Sequence, residues 1–295
     1  MHSPSLKTSQ EDDKYRFDGP DKRTVVPFEL VRNGLFFQVR VGDSGPFWFS
    51  LDSGSAATYI DRAVARRLGL KPHGTKTVRG AGEGTVEVEI IRGVAFQLPG
   101  LSTWGHDIHS IDFQSAEEQW GHKLEGLFGY DLLERFVGII DYNAKQLTFV
   151  DPAHFQYDGP GERFDLEFQG RLPFVRGTIR VPGGFSEESL FLVDSGSQDE
   201  VDHPLIAKAK GASPTVTGVG FGKASTGYFG RVDSLSLGPY EMENLHGVAG
   251  QGLGSHLIGG QVLSRFKVIL DYRSKLMILE PQHKSIRTVS SRRPM

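Results

Sequence analysis

The sequence predicts a mainly β protein with two lobes, each a small β-barrel carrying only short helices. Three observations point there. Twenty Phe and many short alternating runs favour strands, 37 Gly suit a chain of tight turns, and one order of parts occurs twice. At 295 residues the chain has room for about two domains. The formal charge of −3 with 23% charged residues gives no basic surface, so nucleic acid is not an expected partner.

Residues 1–22 are polar, include Glu11-Asp12-Asp13-Lys14, and read as a disordered arm. The first lobe is expected over 23–152. Its opening strands are Phe28–Val31 and Leu35–Val41, followed by Phe47–Ser50. Arg62–Leu68 reads as a short helix with Asp61 as N-cap and Gly69 as its stop. A glycine-rich tip at Gly80-Ala81-Gly82 then precedes the alternating run Thr85–Ile90, the pattern of a hairpin. Gly126-Leu127-Phe128-Gly129 leads into a helix over 130–136 and two closing strands, Val137–Tyr142 and Gln146–Val150. Turn formers at Pro152, Gly159 and Pro160 mark a linker over 153–162. The second lobe, 163–282, repeats the order: strands, a helical piece at Pro204–Lys210, a tip at Gly218-Val219-Gly220, and Leu257-Ile258-Gly259. A basic, disordered tail is expected over 283–295.

Spacing makes the repeat quantitative. Asp52 and Asp194 lie 142 residues apart, and Gly80 and Gly218 lie 138 apart. Gly129 to Gly259, Arg135-Phe136 to Arg265-Phe266 and Asp141-Tyr142 to Asp271-Tyr272 are all steps of 130. Matching elements in one order at a near-constant step indicate a duplicated half.

Chemistry enters through Asp52-Ser53-Gly54-Ser55 and Asp194-Ser195-Gly196-Ser197, each delivered at the end of an apolar strand. Asp43-Ser44-Gly45 shows that the tripeptide alone is a weak signal, since there it reads as a plain hairpin turn. Two strand-end aspartates on matching halves can meet across a pseudo-twofold axis. Carboxylates held ~3 Å apart share one proton, so one serves as base toward a water while the other donates to a carbonyl. Cysteine is absent, which excludes disulfides and thiolate chemistry. His106-Asp107-Ile108-His109 makes an incomplete metal set, so no metal and no cofactor are expected.

This double arrangement resembles the aspartic proteases. The closing pattern Leu-x-Arg-Phe with its Asp-Tyr hairpin is similar to the bacterial retropepsin-like branch, here as two fused copies over about residues 25–281. The resemblance implies a bilobal, pepsin-like fold of two retropepsin-like lobes, with Asp52 and Asp194 as the catalytic dyad. Ser53 and Ser195 would bond across the lobe junction, and Gly54 and Gly196 would offer N–H groups to the carboxylates. Ser55 and Ser197 would bond the outer carboxylate oxygens, favouring the charged form and an acid pH optimum. Leu127-Phe128-Gly129 and Leu257-Ile258-Gly259 would brace the loops. The flaps would be Gly80-Ala81-Gly82 and Gly218-Val219-Gly220, closing over an extended peptide.

The chain departs from pepsin-like enzymes in having no Tyr between Leu70 and Trp104, which favours two-flap closure. It also carries an acidic run, Gln198-Asp199-Glu200-Val201-Asp202, where the first copy is apolar. The reading is an aspartic endopeptidase whose site forms within one monomer. The alternatives are an inactive peptide-binding protein on the same fold and, more remotely, a glycosidase. No apolar run reaches the ~18 residues of a membrane span. The compartment stays open: cytoplasmic, or periplasmic or secreted if a signal segment is missing from this chain.

Overall fold

The computed structural model describes residues 14–80, 84–217, 225–250 and 256–288. Among these the chain is mainly β with short helices, and its strands form two nine-stranded sheets and one of six.

The first nine-stranded sheet belongs to the first lobe. Its order is Tyr15–Phe17, Leu101–Ile111, Tyr59–Asp61, Gly126–Phe128, Ser44–Leu51, Gly34–Val41, Val86–Leu98 and Pro72–Val78, with Glu29–Val31 beside Gly34–Val41. The second runs Glu167–Gln169, Leu172–Val181, Phe185–Val193, Leu257–Ile258, Val201–Asp202, Tyr240–Ala249, Ser225–Leu237 and Ser213–Thr217, with Ile286–Thr288 added to Tyr240–Ala249. The centres of the two sheets match. A strand ending at an aspartate pairs in parallel with a short apolar strand, Gly126–Phe128 or Leu257–Ile258, which pairs antiparallel with the strand after the turn.

The six-stranded sheet joins the lobes. Val137–Asp141 pairs antiparallel with Phe266–Asp271, flanked by Gln146–Val150 and Arg23–Pro27 on one side and by Leu276–Pro281 and Glu162–Asp165 on the other. Each half therefore supplies the hairpin that its closing sequence predicts.

Alternation explains the faces. In Leu172–Val181, Pro173, Val175, Gly177, Ile179 and Val181 are buried while Arg176 and Arg180 are exposed, as a half-buried strand requires. The first-lobe core packs phenylalanines tilted and edge to face: Phe128 lies 4.9 Å from both Phe49 and Phe96, and all three are fully buried. Each such ring contributes about 1.5–3 kcal/mol by leaving water.

Several boundaries differ from the sequence reading. Residues 14–22 are not a free arm, because Tyr15–Phe17 pairs with Leu101–Thr103 and Tyr15 and Phe17 pack on Phe136. Nor is all of 283–295 a free tail, since Ile286–Thr288 pairs with Tyr240–Met242. Both segments are polar enough to look soluble, yet each adds a short strand to a sheet, burying Phe17 in one case and partly covering Ile286 in the other. The first helix spans Arg62–Arg67, with the Asp61 carboxylate accepting from Ala63 and Val64 and Gly69 at φ +68°. The helix expected over 130–136 is one turn, Tyr130–Leu133, and Pro204–Lys208 is a 3-10 turn. A helix at Gln114–Trp120 was not anticipated. No helix among the described residues is long and apolar enough to cross a membrane.

Candidate active site

Asp52 follows Ser44–Leu51 and Asp194 follows Phe185–Val193. Their N–H groups donate to Phe128 O at 2.9 Å and Ile258 O at 3.0 Å, so each aspartate is tied to the short strand beside it. At Gly129 a Cβ would lie 2.4 Å from Ala57 O, and at Gly259 one would lie 2.2 Å from Asp199 O. Only glycine lets that strand leave so close behind the turn.

The two turns meet face to face through their serines. Ser53 Oγ donates to Val193 O (2.6 Å) and accepts from Ser195 N–H (3.0 Å); Ser195 Oγ donates to Leu51 O (3.0 Å) and accepts from Ser53 N–H (3.0 Å). Both serines are fully buried, so all four bonds are shielded from water. The glycines set the approach. A Cβ on Gly54 would sit 2.5 Å from the Asp194 carboxyl carbon, and one on Gly196 would sit 2.4 Å from that of Asp52. Each lobe's glycine thus makes the space that the other lobe's carboxylate occupies. Asp43, by contrast, lies in a hairpin between Val41 and Ser44, away from this junction.

Burial pushes both carboxyls above the ordinary carboxylate range. Asp52 is pushed furthest, because the Asp194 charge and its hydrogen bond add to burial. The Gly54 and Ser55 N–H groups oppose this at Asp52. At Asp194 the Gly196 N–H bond, 2.9 Å to Oδ1, the Asp52 hydrogen bond and the Ser197 N–H do the same. The pair therefore holds one proton to a higher pH than either carboxyl alone.

Ser55 and Ser197 help through their backbone and not through their hydroxyls. Ser55 Oγ donates to Ala57 O at 2.9 Å, and Ser197 Oγ accepts from Asp199 N–H at 3.2 Å. The expected hydroxyl bonds to the outer carboxylate oxygens are absent among the described contacts, so these hydroxyls do not favour the charged form of the pair.

A cleft of about 1310 Å³ opens over the pair. Beside charged groups such as Lys76, Arg79 and Arg135, its first-lobe wall carries an apolar patch, Ile111, Ala116, Trp120, Leu124 and Leu127, drawn from a buried cluster that includes Phe36 and Phe113. The unanticipated helix Gln114–Trp120 supplies two of these. Its seven residues are too short for helical periodicity to separate from a loop. The second-lobe wall mixes Leu190, Leu192 and Leu257 with Asp199 and Asp202. The segments that lead to the two glycine-rich tips reach the cleft through Val78, Arg79, Gly80, Val216 and Thr217. Ala81, Gly82, Gly218, Val219 and Gly220 lie outside the described residues.

The acidic run divides. Glu200 is neutralised by Arg265 at 2.7 Å, whereas Asp202 is half-buried on the cleft wall, where burial raises its carboxyl to about 7. His106 is held by Thr103 at 2.8 Å and kept neutral by burial, and no metal-binding group of side chains occurs among the described residues. His203 Nδ1 accepts from Leu205 N–H, so its other nitrogen carries the proton toward Ser189, at 3.0 Å, and cannot act as that serine's base.

Sequence reasoning overlooked three contributors. Asp131 accepts from Thr58 N–H (2.8 Å) and pairs with Arg171 of the other lobe (2.9 Å). Tyr142 and Tyr272 are buried at the lobe junction, where the charges of the pair act on them. The repeated Asp-Tyr was the available signal, although it read only as part of a hairpin. No curated protein matches the chain. Residues 37–132, the stretch from the first core strands through Asp52 to the turn of helix at Leu132, match the family model described as aspartyl protease.

Proposed function

We propose that the protein is an aspartic endopeptidase and that Asp52 and Asp194 are its dyad. The observation that carries this is the reciprocal packing of the two Asp-Ser-Gly-Ser turns, in which each glycine accommodates the opposite carboxylate. The family match supports protease chemistry for the first lobe, and the matching strand order supports a second lobe derived by duplication. Both aspartates lie on one chain, so a monomer holds the whole site.

The reaction uses the pair as one acid and one base. Asp52, the more strongly raised, holds the shared proton; Asp194, favoured in its ionised form by the Gly196 N–H, takes a proton from water as its oxygen attacks the peptide carbonyl carbon. The Asp52 proton passes to the carbonyl oxygen, giving a neutral gem-diol. The proton now on Asp194 then goes to the amide nitrogen, Asp52 recovers one from the diol, and the C–N bond breaks. The cleft has the volume for an extended peptide, and the apolar patch on its first-lobe side suits a large apolar side chain near the scissile bond.

Because burial raises both carboxyls, activity should peak in weak acid rather than strong acid. The test is cleavage of casein and a peptide library between about pH 3 and 7. Cleavage in the wild type and a loss of about 10²- to 10⁴-fold in both Asp52→Asn and Asp194→Asn is expected. Full activity in either variant would refute the shared-proton mechanism, and wild-type binding without cleavage would make the protein a peptide-binding module.

A further inference from the structure

Beneath the pair lies a tyrosine that the mechanism above does not use. Tyr272 is 6% exposed, and its hydroxyl donates to Ser53 O at 3.2 Å. Its ring is fixed by Phe168 at 5.0 Å and Tyr130 at 5.7 Å. Ser53 O and the Gly54 N–H are the two ends of one peptide unit, and that N–H acts on the Asp52 carboxyl to favour its charged form, while Asp52 Oδ1 has no hydrogen-bond partner among the described residues. A donor on the oxygen of an amide draws electron density toward it and makes the N–H at the other end a better donor.

We propose that Tyr272 is a positioning residue of the dyad: its hydroxyl holds and polarises the Ser53–Gly54 peptide so that the Gly54 N–H steadies the Asp52 carboxylate. The repeat supplies an internal control. Tyr142 occupies the matching place in the first lobe and is 4% exposed, but its hydroxyl has no protein partner among the described residues. The Ser195–Gly196 peptide on the Asp194 side therefore lacks this support, although the Gly196 N–H bonds Asp194 directly at 2.9 Å.

Tyr272 thus acts on one carboxyl of the pair and offsets part of the burial and charge repulsion that load the proton onto Asp52. The other groups acting on the pair are Tyr59 beside Asp52, and Asp199 and Tyr142 beside Asp194. Tyr130, with Glu134, Arg171 and Asp131 around it, borders Tyr272 from the first lobe. None of these is altered by removing the Tyr272 oxygen.

The inference rests on Asp52 and Asp194 sharing a proton, and its test does not require turnover. Carbon-13 NMR of labelled aspartate in the full chain, with the pair assigned through Asp52→Asn, follows the titration of wild type, Tyr272→Phe and Tyr142→Phe. Losing the relay destabilises the carboxylate, so Tyr272→Phe should titrate higher by about 0.3 to 0.5 pH unit. The 3.2 Å bond is long for a hydroxyl donor, which sets the effect at this modest level. Tyr142→Phe should leave the titration within about 0.1 unit. In an active enzyme the alkaline limb of kcat/KM, where Asp52 loses its proton, should move up with it in Tyr272→Phe, with KM unchanged. Unchanged titration in Tyr272→Phe, or equal shifts in both variants, overturns the relay. A shift confined to Tyr272→Phe in a protein that cleaves nothing would uphold the relay and discard the protease reading.

Discussion

After Asp52 the chain runs through Ala56-Ala57-Thr58 into a carboxylate-capped α-helix; after Asp194 it runs through Gln198-Asp199-Glu200 into a 3-10 turn. The caps account for much of that difference. Asp61 Oδ1 accepts from two successive N–H groups, at 2.9 and 3.0 Å, as the first turn of an α-helix needs. The neutral His203 offers one acceptor and takes one N–H, at 3.1 Å, ahead of the 3-10 turn that begins at Pro204. The strand before each cap repeats the contrast. Tyr59 pairs opposite Leu127 and Asp202 opposite Leu257, so one register position on the cleft carries a phenol in the first lobe and a carboxyl in the second. The lobes also clasp each other unequally. The second lobe's Arg171 bonds Asp131, whereas the first lobe's Asn33 only packs its backbone on Gly260, where a Cβ would lie 2.7 Å from Asn33 O. What stays alike is the serine lattice and the paired glycines. Symmetry is kept where the lobes must meet and relaxed along the walls.

That division can be broken most sharply at the serines. Ser53→Ala strands Val193 O and the Ser195 N–H, and Ser195→Ala strands Leu51 O and the Ser53 N–H. Each variant leaves two buried groups unpaired at about 1–3 kcal/mol apiece, so each should lose about 2–6 kcal/mol in urea unfolding. Losses differing by more than about 1 kcal/mol would show that the junction is not symmetric after all.

Asp202 tests the unlike walls. Its carboxyl titrates near the ordinary value when unfolded and at about 7 when folded, so folding binds its proton more tightly. Stability is therefore lost as pH rises through that window, and Asp202→Asn should match wild type below about pH 4 while melting higher above about pH 7. A variant that melts lower at neutral pH would show that the carboxylate has an ionic partner in the folded chain.

The smallest effect is at His203, which burial lowers to about 4. Here the unfolded chain binds the proton more tightly, so stability is kept above the imidazole's ordinary value and lost as pH falls toward about 4. His203→Gln should flatten the acid slope of the melting temperature, and an unchanged slope would move that dependence onto His106 and His109, which are lowered in the same way.

Much of this was legible in the residues themselves. The strand-end aspartates, the turn glycines and the closing hairpins each have a local signature, and their repetition at fixed steps removed the ambiguity that Asp43 exposes. Polar edges misled, because Tyr15–Phe17 and Ile286–Thr288 find their hydrogen-bonded partners, and Phe17 its cover, only in strands far away in sequence. Ser55 and Ser197 misled differently. A hydroxyl two residues from a turn has several acceptors within reach, and the one it takes depends on where the chain goes next.

The sequence alone determined the β architecture, its two matched halves and the two aspartates, since alternation, turn chemistry and repetition are properties of neighbouring residues. Only tertiary structure decided what surrounds the carboxyls: which N–H groups act on them, that burial raises both, that an apolar patch of the first lobe and Asp199 and Asp202 of the second share one cleft, and that Tyr272 rather than Tyr142 finds a partner beneath them. Those features depend on distances between groups up to 219 residues apart, as Tyr272 and Ser53 are, and no local pattern encodes them.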